Sequence, residues 1–349
     1  MSLDRVPASV TAIDLRPYAE AVPAAVVERL RSARHVLAVS HEDPDADTLG
    51  ASLALARIVE ELGASVTVVC TDAPPPLYQA LPGVERVRSD PDPAVTYDLL
   101  VLSDCASLER VGAVGQRHRE LFERLPRVLI DHHISNDASG AADWIDPAAA
   151  ATCEMAALLA VRMGIPLTLG GGALATDLMA GIVTDTATFA HPNATPRTLI
   201  VAAALLEAGA PLSEMSRRFY RSKPTRQLRL FGRVLGRIDA SPDGHVIWAT
   251  LLDGDLAALS APSSDSEGLI DLLSQSEEAE VAILFKESGT STRISVRTKP
   301  GGVDATVLTG RFGGGGHARA AGATIDRPVD VARDDVLAVA AELAQEIVH

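Results

Sequence analysis

The stretch Ser40-His41-Glu42-Asp43-Pro44-Asp45-Ala46-Asp47-Thr48-Leu49-Gly50 decides the fold of this chain. An apolar run at 36–39 precedes it and predicts a buried strand, and apolar residues at helical spacing from 49 to 62 predict a helix after it. A polar turn at the carboxyl end of a strand is where open α/β sheets place their ligands. His41, Asp45 and Asp47 are therefore candidate functional residues. The alternative is that one of the two acids, with Asp47 the first candidate, is only the N-cap of the helix.

Two further apolar runs end in the same way. The predicted strand at 99–102 leads into Ser103-Asp104, and the one at 127–130 leads into Asp131-His132-His133. Helical patterns separate the strands, and this alternation is typical of a doubly wound, mainly parallel sheet. Because the carboxyl ends of parallel strands lie at one edge of such a sheet, we expect these acidic and histidine side chains to converge.

The chain predicts an α/β domain, a linker and a smaller domain. Residues 20–195 form the α/β domain, with a helix at 172–184 that ends in Thr184-Asp185-Thr186. Residues 196–240 are predicted as a helical linker, in which eight basic residues stand against one acid, Glu214, between 213 and 237. This segment is either solvated or a basic wall that faces a phosphate cleft. Residues 241–349 predict a smaller, mixed α+β domain that contains a glycine run at 313–316.

The composition limits the function classes. The chain has 349 residues and a formal net charge of −15, which argues against binding to long duplex nucleic acid through its phosphates. No apolar run is long enough to span a membrane, and the N-terminus lacks a signal-peptide pattern. The three cysteines, Cys70, Cys105 and Cys153, lie far apart and do not have the spacing of zinc ligands. We therefore expect a reduced, cytoplasmic protein.

The candidate residues have the chemistry of a metal centre. Carboxylates and imidazoles suit a pair of divalent ions such as Mn²⁺, and Asp104, alone at its strand end, is the natural bridge between them. Two ions about 3.5–4 Å apart can hold a hydroxide and clamp the oxygens of an in-line displacement at phosphorus. His132 and His133 cannot both point the same way from an extended backbone, so we assign one to metal and the other to substrate or proton transfer. Each residue alone could be a helix cap or a hydrogen-bonded core residue, but three strand ends together favour a site.

Four stretches resemble the motifs of the DHH phosphoesterase superfamily. They are His41-Glu42-Asp43-Pro44-Asp45-Ala46-Asp47, Asp104, Asp131-His132-His133 and Gly181-Ile182-Val183-Thr184-Asp185-Thr186. The run Gly313-Gly314-Gly315-Gly316-His317-Ala318-Arg319-Ala320-Ala321-Gly322 is similar to the signature of the DHHA1 accessory domain. The resemblance keeps the motif order and is strongest to the oligoribonuclease ("nano-RNase") type. Members of that type cleave very short RNAs, 3′-phosphoadenosine 5′-phosphate (pAp), or cyclic di-AMP and its linear product.

The resemblance implies ligands for two Mn²⁺ ions. One ion would be held by His41, Asp45 and Asp104. The other would be held by Asp47, Asp104, His132 and Asp185. His133 would face the scissile phosphate, and Asp131 would orient its neighbours. The chain departs from the usual pattern at Ala46, where glycine is common, and at Glu42-Asp43, where a less acidic pair is usual, but no ligand position is lost.

The smaller domain is expected to bind the nucleotide. In the resembling family a Ser-x-Arg element and the Gly-Gly-Gly-His loop hold the nucleotide end of the substrate. The matching residues, for which we predict substrate contacts, are Ser295, Arg297, Gly315, Gly316 and His317. Taken alone, the glycine run is more typical of a flexible loop. Arg110 is a further candidate phosphate ligand, and a surface salt bridge is a comparable alternative for it.

Together these patterns predict a Mn²⁺-dependent phosphoesterase that hydrolyses short nucleotides, namely nanoRNA, linear pApA or cyclic di-AMP, and pAp. One alternative is a pyrophosphatase or exopolyphosphatase of the same superfamily, and the residues at 313–317 argue against it. Another is a non-catalytic nucleotide-binding module, and the complete set of candidate ligands argues against that. The resemblance also implies a homodimer.

Overall fold

The computed structural model of the protein describes residues 13–105, 108–134, 136 and 140–347, except for the side chains of 317 and 344–347. The chain divides into two units, Met1–Ser222 and Lys223–His349. The segment predicted as a linker, 196–240, is divided between them, since its first two helices belong to the first unit and its third to the second. In the described residues no single helix is long and apolar enough to cross a membrane. One bent pair of helices, Pro196–Glu207 with Leu212–Tyr220, has sufficient length and apolar composition only when the two are taken together.

A parallel sheet forms the centre of the first unit. Within the described part of the chain its strands are β1 His35–Val39, β2 Ser65–Val69, β3 Leu99–Ser103, β4 Arg127–Asp131 and β5 Asp143–Ile145. Their order is β2-β1-β3-β4-β5, and every neighbouring pair is parallel. This confirms the predicted α/β sheet. The sequence did not predict β5, because three residues are too few to show a pattern.

Helices cover both faces of this sheet. They are α1 Arg16–Ala19, α2 Ala24–Ser32, α3 Ala46–Glu61, α4 Ala113–Arg117, α5 Arg119–Arg124, α6 Thr152–Arg162, α7 Ala173–Asp185, α8 Pro196–Glu207 and α9 Leu212–Tyr220. Alternate residues of β3 show the two layers. Leu99 and Val101 join the core with α3, α6 and α7, whereas Leu100 and Leu102 pack with α4 and α5 on the other side. A strand that is buried on both faces has an unbroken apolar sequence, which is why the strands could be found in the sequence.

The chain order places a crevice at the carboxyl ends of β1 and β3. From β1 the chain passes to β2 on one side of the sheet, and β3 then pairs with β1 on its other side. Such a point, where the order of strands reverses, is where doubly wound sheets bind their ligands. The turn after β1, residue 104 after β3 and the residues after β4 all emerge at this edge.

The second unit contains a mixed sheet. Its described strands are β6 Asp239–Ala240, β7 Val246–Leu251, β8 Val281–Ser288, β9 Ser291–Thr298, β10 Gly315–His317 and β11 Ala320–Ile325, in the order β10-β11-β9-β8-β7-β6. Only β7 and β8 pair in parallel among these strands. The helices are α10 Thr225–Leu235, α11 Asp253–Ala258, α12 Leu269–Leu273, α13 Ala305–Gly310 and α14 Val329–Ile347. This confirms the predicted α+β class.

The two faces of the second sheet differ. Helices α13 and α14 pack on one face, against alternate residues of β8 and β9 such as Phe285 and Ile294. Helices α10 and α12 pack on the other face, mainly against β7 and β8 through residues such as Leu284. The glycine run is not only a loop, because part of it forms edge strand β10, paired with β11.

Candidate metal centre

His41 follows β1 and its ring orientation is fixed by the backbone. The side chain is almost completely buried, and Nδ1 lies 2.6 Å from the carbonyl oxygen of Glu42. With Nδ1 engaged in that hydrogen bond, Nε2 is directed at two carboxylates, 3.5 Å from Oδ2 of Asp104 and 3.9 Å from Oδ1 of Asp45. A histidine whose second nitrogen is held by a carbonyl in this way has the arrangement typical of metal ligands.

The two acids of the first turn cap two different helices. Asp45 is the N-cap of α3, since its Oδ1 accepts the backbone N–H groups of Asp47 at 2.9 Å and Thr48 at 3.0 Å. Asp47 is fully buried and accepts two N–H groups at the start of α6, from Thr152 at 2.7 Å and Cys153 at 2.9 Å. The N-cap of α3 is therefore Asp45 and not Asp47. Capping also does not exhaust either carboxylate, because both still lie beside other acids and histidines.

Asp104 lies between histidines from two strand ends. It follows β3 with a left-handed backbone, φ 58°, and is 3% exposed. Its Oδ1 accepts a hydrogen bond from the Thr152 hydroxyl at 3.1 Å and lies 3.5 Å from Nε2 of His132, while Oδ2 faces His41. An aspartate in this backbone region is uncommon and is held here by its N–H, which donates to the carbonyl of Ile130 at 2.9 Å.

The tandem histidines after β4 have different partners. Nε2 of His132 faces Asp185 at 3.2 Å and Asp47 at 3.9 Å. His133 instead places Nδ1 2.7 Å from Oδ1 of the buried Asp131, and nearly half of its side chain remains exposed. The second oxygen of Asp131 accepts a hydrogen bond from the Asn136 amide at 2.6 Å. His132 is therefore directed into the carboxylate cluster, while His133 is anchored by Asp131 at the surface of the cluster.

Asp185 is the last residue of α7 and completes the cluster from a helix. The chain turns sharply after it, since Ala187, Thr188 and Phe189 all have positive φ angles between 46° and 65°. Helix α7 reaches the site because two glycines let it approach α3 closely. A Cβ atom at Gly181 would lie 2.2 Å from Oδ1 of Asp47, and one at Gly50 would lie 2.3 Å from the carbonyl oxygen of Asp177.

These side chains form three overlapping groups whose donor atoms could hold metal ions. Within each group the atoms lie within 4.8 Å of one another. The groups are Asp104, His132 and His133; His41, Asp45 and Asp104; and Asp47, His132 and Asp185. Asp104 occurs in two of the groups and His132 in two. The donor set, carboxylate oxygens and imidazole nitrogens, fits divalent ions of hard to borderline character.

The electrostatics of the site also favour bound cations. Burial, and then repulsion from Asp104 and Asp185, raise the pKa of Asp47 well above its ordinary value. Burial likewise raises the pKa of Asp185 to about 6. Burial alone would lower the pKa of His132, but hydrogen bonds with Asp104 and Asp185 outweigh it and raise this pKa to about 11. Buried carboxylates thus repel one another and attract any cation in reach, and divalent ions would supply the missing positive charge.

Two residues at the site were missed by the sequence analysis. Thr152, the first residue of α6, contacts both Asp47 and Asp104. Tyr220, the last residue of α9, donates its hydroxyl hydrogen to the carbonyl of Thr184 at 3.0 Å, directly before Asp185. Burial, and then the charge of Asp185, raise the pKa of Tyr220 to about 12. Neither residue belongs to a recognisable motif, and their contacts arise only when helices distant in sequence meet.

Arg110 lies beside the first turn. Its backbone carbonyl accepts a hydrogen bond from the N–H of Glu42 at 2.8 Å, and its side chain is exposed. The structure thus brings this residue next to the residue that follows His41. The surface salt bridge considered as an alternative is not found for Arg110 among the described residues.

The predicted substrate residues of the second unit lie on adjacent strands. Ser295 of β9 pairs with Gly322 of β11, which pairs with Gly315 of β10, and Arg297 is two residues further along β9. Nε of Arg297 lies 3.1 Å from Oδ1 of Asp271 on α12, so this arginine already has one carboxylate partner.

The two predicted glycines differ in their surroundings. A Cβ atom at Gly315 would meet open space, whereas one at Gly316 would lie 2.6 Å from the carbonyl oxygen of Ala320. Strand pairing therefore explains the glycine at 316, and the site at 315 has room for a ligand. The side chain of His317 lies outside the described residues.

Comparisons with known proteins agree with the two-unit architecture. Residues 35–182 match the model of the DHH family, N-terminal domain, and residues 250–348 match that of the DHHA1 domain. The bifunctional oligoribonuclease and PAP phosphatase NrnA of Thermus thermophilus is 34% identical over 290 residues, which cover 82% of each chain. The protein of the same name from Bacillus subtilis is 27% identical and aligns over 82% of this chain and 87% of its own length.

A solved structure shows the same fold. The crystal structure of an exopolyphosphatase-related protein from Bacteroides fragilis superposes with a TM-score of 0.79 at 21% identity, covering 92% of this chain and 94% of that one. The sequence matches and this shared fold agree with the order of strand-end acids and histidines described above. The chain therefore belongs to the DHH family of phosphoesterases, with a DHH domain in its first unit and a DHHA1 domain in its second.

Proposed function

We propose that this protein is a Mn²⁺-dependent phosphoesterase that hydrolyses short nucleotides, namely nanoRNA, linear pApA or cyclic di-AMP, and pAp. The observation that carries the proposal is the set of three ligand groups that overlap at Asp104 and at His132. The substrate class is supported by the relatives named oligoribonuclease and PAP phosphatase, one of which is 34% identical to this chain.

The proposed ligands fall into two sets that share Asp104. The first is His41, Asp45 and Asp104, and the second is Asp47, Asp104, His132 and Asp185. The first set coincides with one of the groups of close donor atoms, and three members of the second set form another. Two divalent ions bound there would activate water and offset the charge that develops on the phosphoryl oxygens.

The other groups of the site have positioning and substrate roles in this proposal. Asp131 holds Nδ1 of His133 and so directs the opposite edge of the ring outward, where it would contact the scissile phosphate. The N–H groups of Thr152 and Cys153 fix both oxygens of Asp47, and the helix N-terminus that they belong to favours its negative charge. Preorganised donors of this kind avoid reorganisation during the reaction.

The second unit would bind the nucleotide through Ser295, Arg297, Gly315, Gly316 and His317, and Arg110 of the first unit would bind phosphate. Arg297 would meet the substrate in competition with its present partner, Asp271. We also propose a homodimeric, cytoplasmic enzyme. The location is supported by Cys70 and Cys153, which are buried and form no disulfide within the described part of the chain. Light scattering of the purified protein tests the dimer.

The experiment compares Asp104→Asn with Asp177→Asn. Both aspartates are buried in the first unit, but Asp177 lies outside the three donor groups. We expect Asp104→Asn to lower kcat/KM for pApA more than a hundredfold, beyond the ~10- to 100-fold typical of losing an outer-shell partner, and to lower the metal content of the protein. Asp177→Asn should retain the wild-type kcat/KM and the wild-type metal content. An Asp104→Asn enzyme with near wild-type activity would refute the two-metal assignment.

A substrate panel tests the finer assignment. The panel consists of nanoRNA, pApA, cyclic di-AMP and pAp, together with pyrophosphate and polyphosphate as substrates of the alternative activity. Each compound is assayed with Mn²⁺ and with Mg²⁺. We expect the substrate with the highest kcat/KM to be one of the short nucleotides, and we expect its kcat/KM to be higher with Mn²⁺ than with Mg²⁺. Faster hydrolysis of pyrophosphate or polyphosphate would favour the alternative activity, and no hydrolysis of any of them would favour a binding module.

A further inference from the structure

Two basic residues face each other on the second sheet, and neither forms a salt bridge with an acidic residue that the structure describes. Lys286 of β8 and Arg293 of β9 are register partners in an antiparallel pair, so their side chains leave the same face of the sheet about 5 Å apart at Cβ. Nζ of Lys286 donates to the hydroxyl of Ser266 at 2.8 Å, and Ser266 is buried. In the part of the chain that the structure describes, no salt bridge involves either residue. Like charges directly opposite each other destabilise a sheet unless something compensates them.

The pair lies on the same face of the sheet as Ser295 and Arg297, which are proposed to bind the nucleotide, and we call this row of polar residues along β9 the strip. Arg293, Ser295 and Arg297 alternate along β9 and so share one face, while Ile294 and Val296 are buried on the other. On β11, Thr324 pairs with Arg293 and is exposed. This face is therefore exposed to solvent at Arg293 and Thr324, while Lys286 beside them is half-buried.

The charge along this strip is unequal. Arg297 is paired with Asp271, whereas among the described residues no carboxylate forms a salt bridge with Lys286 or Arg293. Burial, and then the positive charge of Arg293, lower the pKa of Lys286, and Glu267 opposes this shift from a distance at which it makes no salt bridge. In a chain of net charge −15, two neighbouring cations on one sheet face are unusual, and a bound anion would offset their repulsion.

We propose that Lys286 and Arg293 form an anion subsite that binds a phosphate group. A guanidinium can donate two parallel hydrogen bonds to phosphate oxygens, and an ammonium adds a mobile point charge. A doubly charged phosphate between the two cations would replace their repulsion by attraction. Given the proposed function, on which this part rests, the phosphate is a non-scissile one of a short nucleotide, two residues along β9 from Ser295. A nucleotide that carries an additional phosphate would therefore bind more tightly than one that lacks it.

The first arm of the test measures anion binding without turnover. Melting temperatures of the full-length protein are compared in sodium phosphate and in sodium chloride of equal ionic strength, for the wild type, Arg293→Gln and Arg333→Gln. Arg333 is the matched control, because it pairs with Asp330 and Asp334 on α14, which packs on the opposite face of the sheet. We expect phosphate to stabilise the wild type and Arg333→Gln more than Arg293→Gln. Equal stabilisation of all three would overturn the subsite.

The second arm identifies the source of the phosphate. KM is measured for ApA, pApA and ApAp, which differ only in a terminal phosphate. We expect the wild type to prefer at least one phosphorylated dinucleotide, and we expect Arg293→Gln to reduce that preference about tenfold, as for loss of a charge-assisted hydrogen bond, with partial recovery in Arg293→Lys. A preference unchanged in Arg293→Gln would refute the substrate assignment and leave free phosphate as the ligand if the first arm is positive. If no dinucleotide is hydrolysed, the proposed function fails, and the first arm alone decides the subsite.

Discussion

Gly181→Ala is the most direct test of how the metal centre is built. Gly181 lies in α7, where that helix crosses α3, and a Cβ atom there would lie 2.2 Å from Oδ1 of Asp47, 2.5 Å from Sγ of Cys153 and 2.8 Å from Cα of Asp47. Real Cβ contacts are not this short, so either α7 or Asp47 must move. The contact with a Cα atom matters most, because a side-chain rotation cannot relieve it.

The expected cost follows from two opposing effects. Overpacking a buried contact by one methyl group typically costs about 1–3 kcal/mol. Replacing glycine by alanine within a helix returns up to about 1 kcal/mol. We therefore expect the free energy of unfolding to fall by about 1–2 kcal/mol. Because the displaced residue is Asp47, we also expect weaker divalent-metal binding, by an amount comparable to the ~10- to 100-fold loss seen when the partner of a ligand is removed.

Gly232→Ala is the matched control. Gly232 lies within α10 of the second unit, and a Cβ atom there would meet no heavy atom within 4 Å. This variant should gain up to about 1 kcal/mol in urea unfolding, and its metal affinity, measured by isothermal titration of metal-free protein, should equal that of the wild type. If Gly181→Ala were as stable as Gly232→Ala and bound metal normally, the argument that close helix contact positions Asp47 would be wrong.

Thr152→Val removes the hydroxyl that donates to Asp104 and should weaken metal binding about 10- to 100-fold in the same titration. Asp177→Asn removes a carboxyl whose pKa is raised by burial to about 7, although Arg57 opposes the shift. Between about pH 4 and pH 7 the carboxyl of Asp177 therefore stays protonated in the folded protein and is ionised in the unfolded chain. Over this pH range the unfolding free energy of the wild type should fall by up to about 4 kcal/mol relative to that of Asp177→Asn, which cannot ionise. Tyr220→Phe removes the hydroxyl that donates to the Thr184 carbonyl and should lower the unfolding free energy by about 1 kcal/mol in urea.

Each of these variants has an outcome that contradicts its reasoning. Thr152→Ser keeps the hydroxyl and should bind metal nearly as tightly as the wild type, so equal affinities of the Val and Ser variants would exclude a role for the hydroxyl. Parallel pH profiles of stability for the wild type and Asp177→Asn would show that burial does not shift this carboxyl. An unchanged stability of Tyr220→Phe would mean that water replaces its hydrogen bond at no cost.

The sequence predicted the strands of the first unit well because of where they lie. A strand such as β3, buried on both faces, must be apolar throughout, and a polar residue directly after it, Asp104, is therefore conspicuous. The ligand candidates could be named for the same reason, since few residue types bind divalent metals and all of the candidates except Asp185, the last residue of α7, follow strands. The convergence of His41, Asp104 and His132 at one edge follows from the parallel topology alone.

The second unit was harder to predict because its glycines serve two purposes. The run at 313–316 suggested a loop, yet Gly314 and Gly316 are required by their close approach to β11, since Cβ atoms there would meet backbone oxygens of Gly322 and Ala320 at 2.2 and 2.6 Å. Glycine supplies no side chain from which an alternating strand pattern could be recognised. The sequence also could not show that Lys286 and Arg293 are register partners, because register is a property of the pairing and not of either strand.

The same distinction applies within the metal centre itself. The identity of a ligand is fixed by the chemistry of its side chain, so it can be recognised in a sequence, but its position is fixed by groups that carry no such mark. Asp47 is held by the backbone N–H groups of Thr152 and Cys153, which almost any residue could supply, and by the absence of a side chain at Gly181. Thr152→Val keeps every ligand but loses the hydroxyl that donates to Asp104, and Gly181→Ala keeps every ligand but displaces Asp47. If both variants lose metal affinity, the site depends on the groups that position its ligands as much as on the ligands themselves.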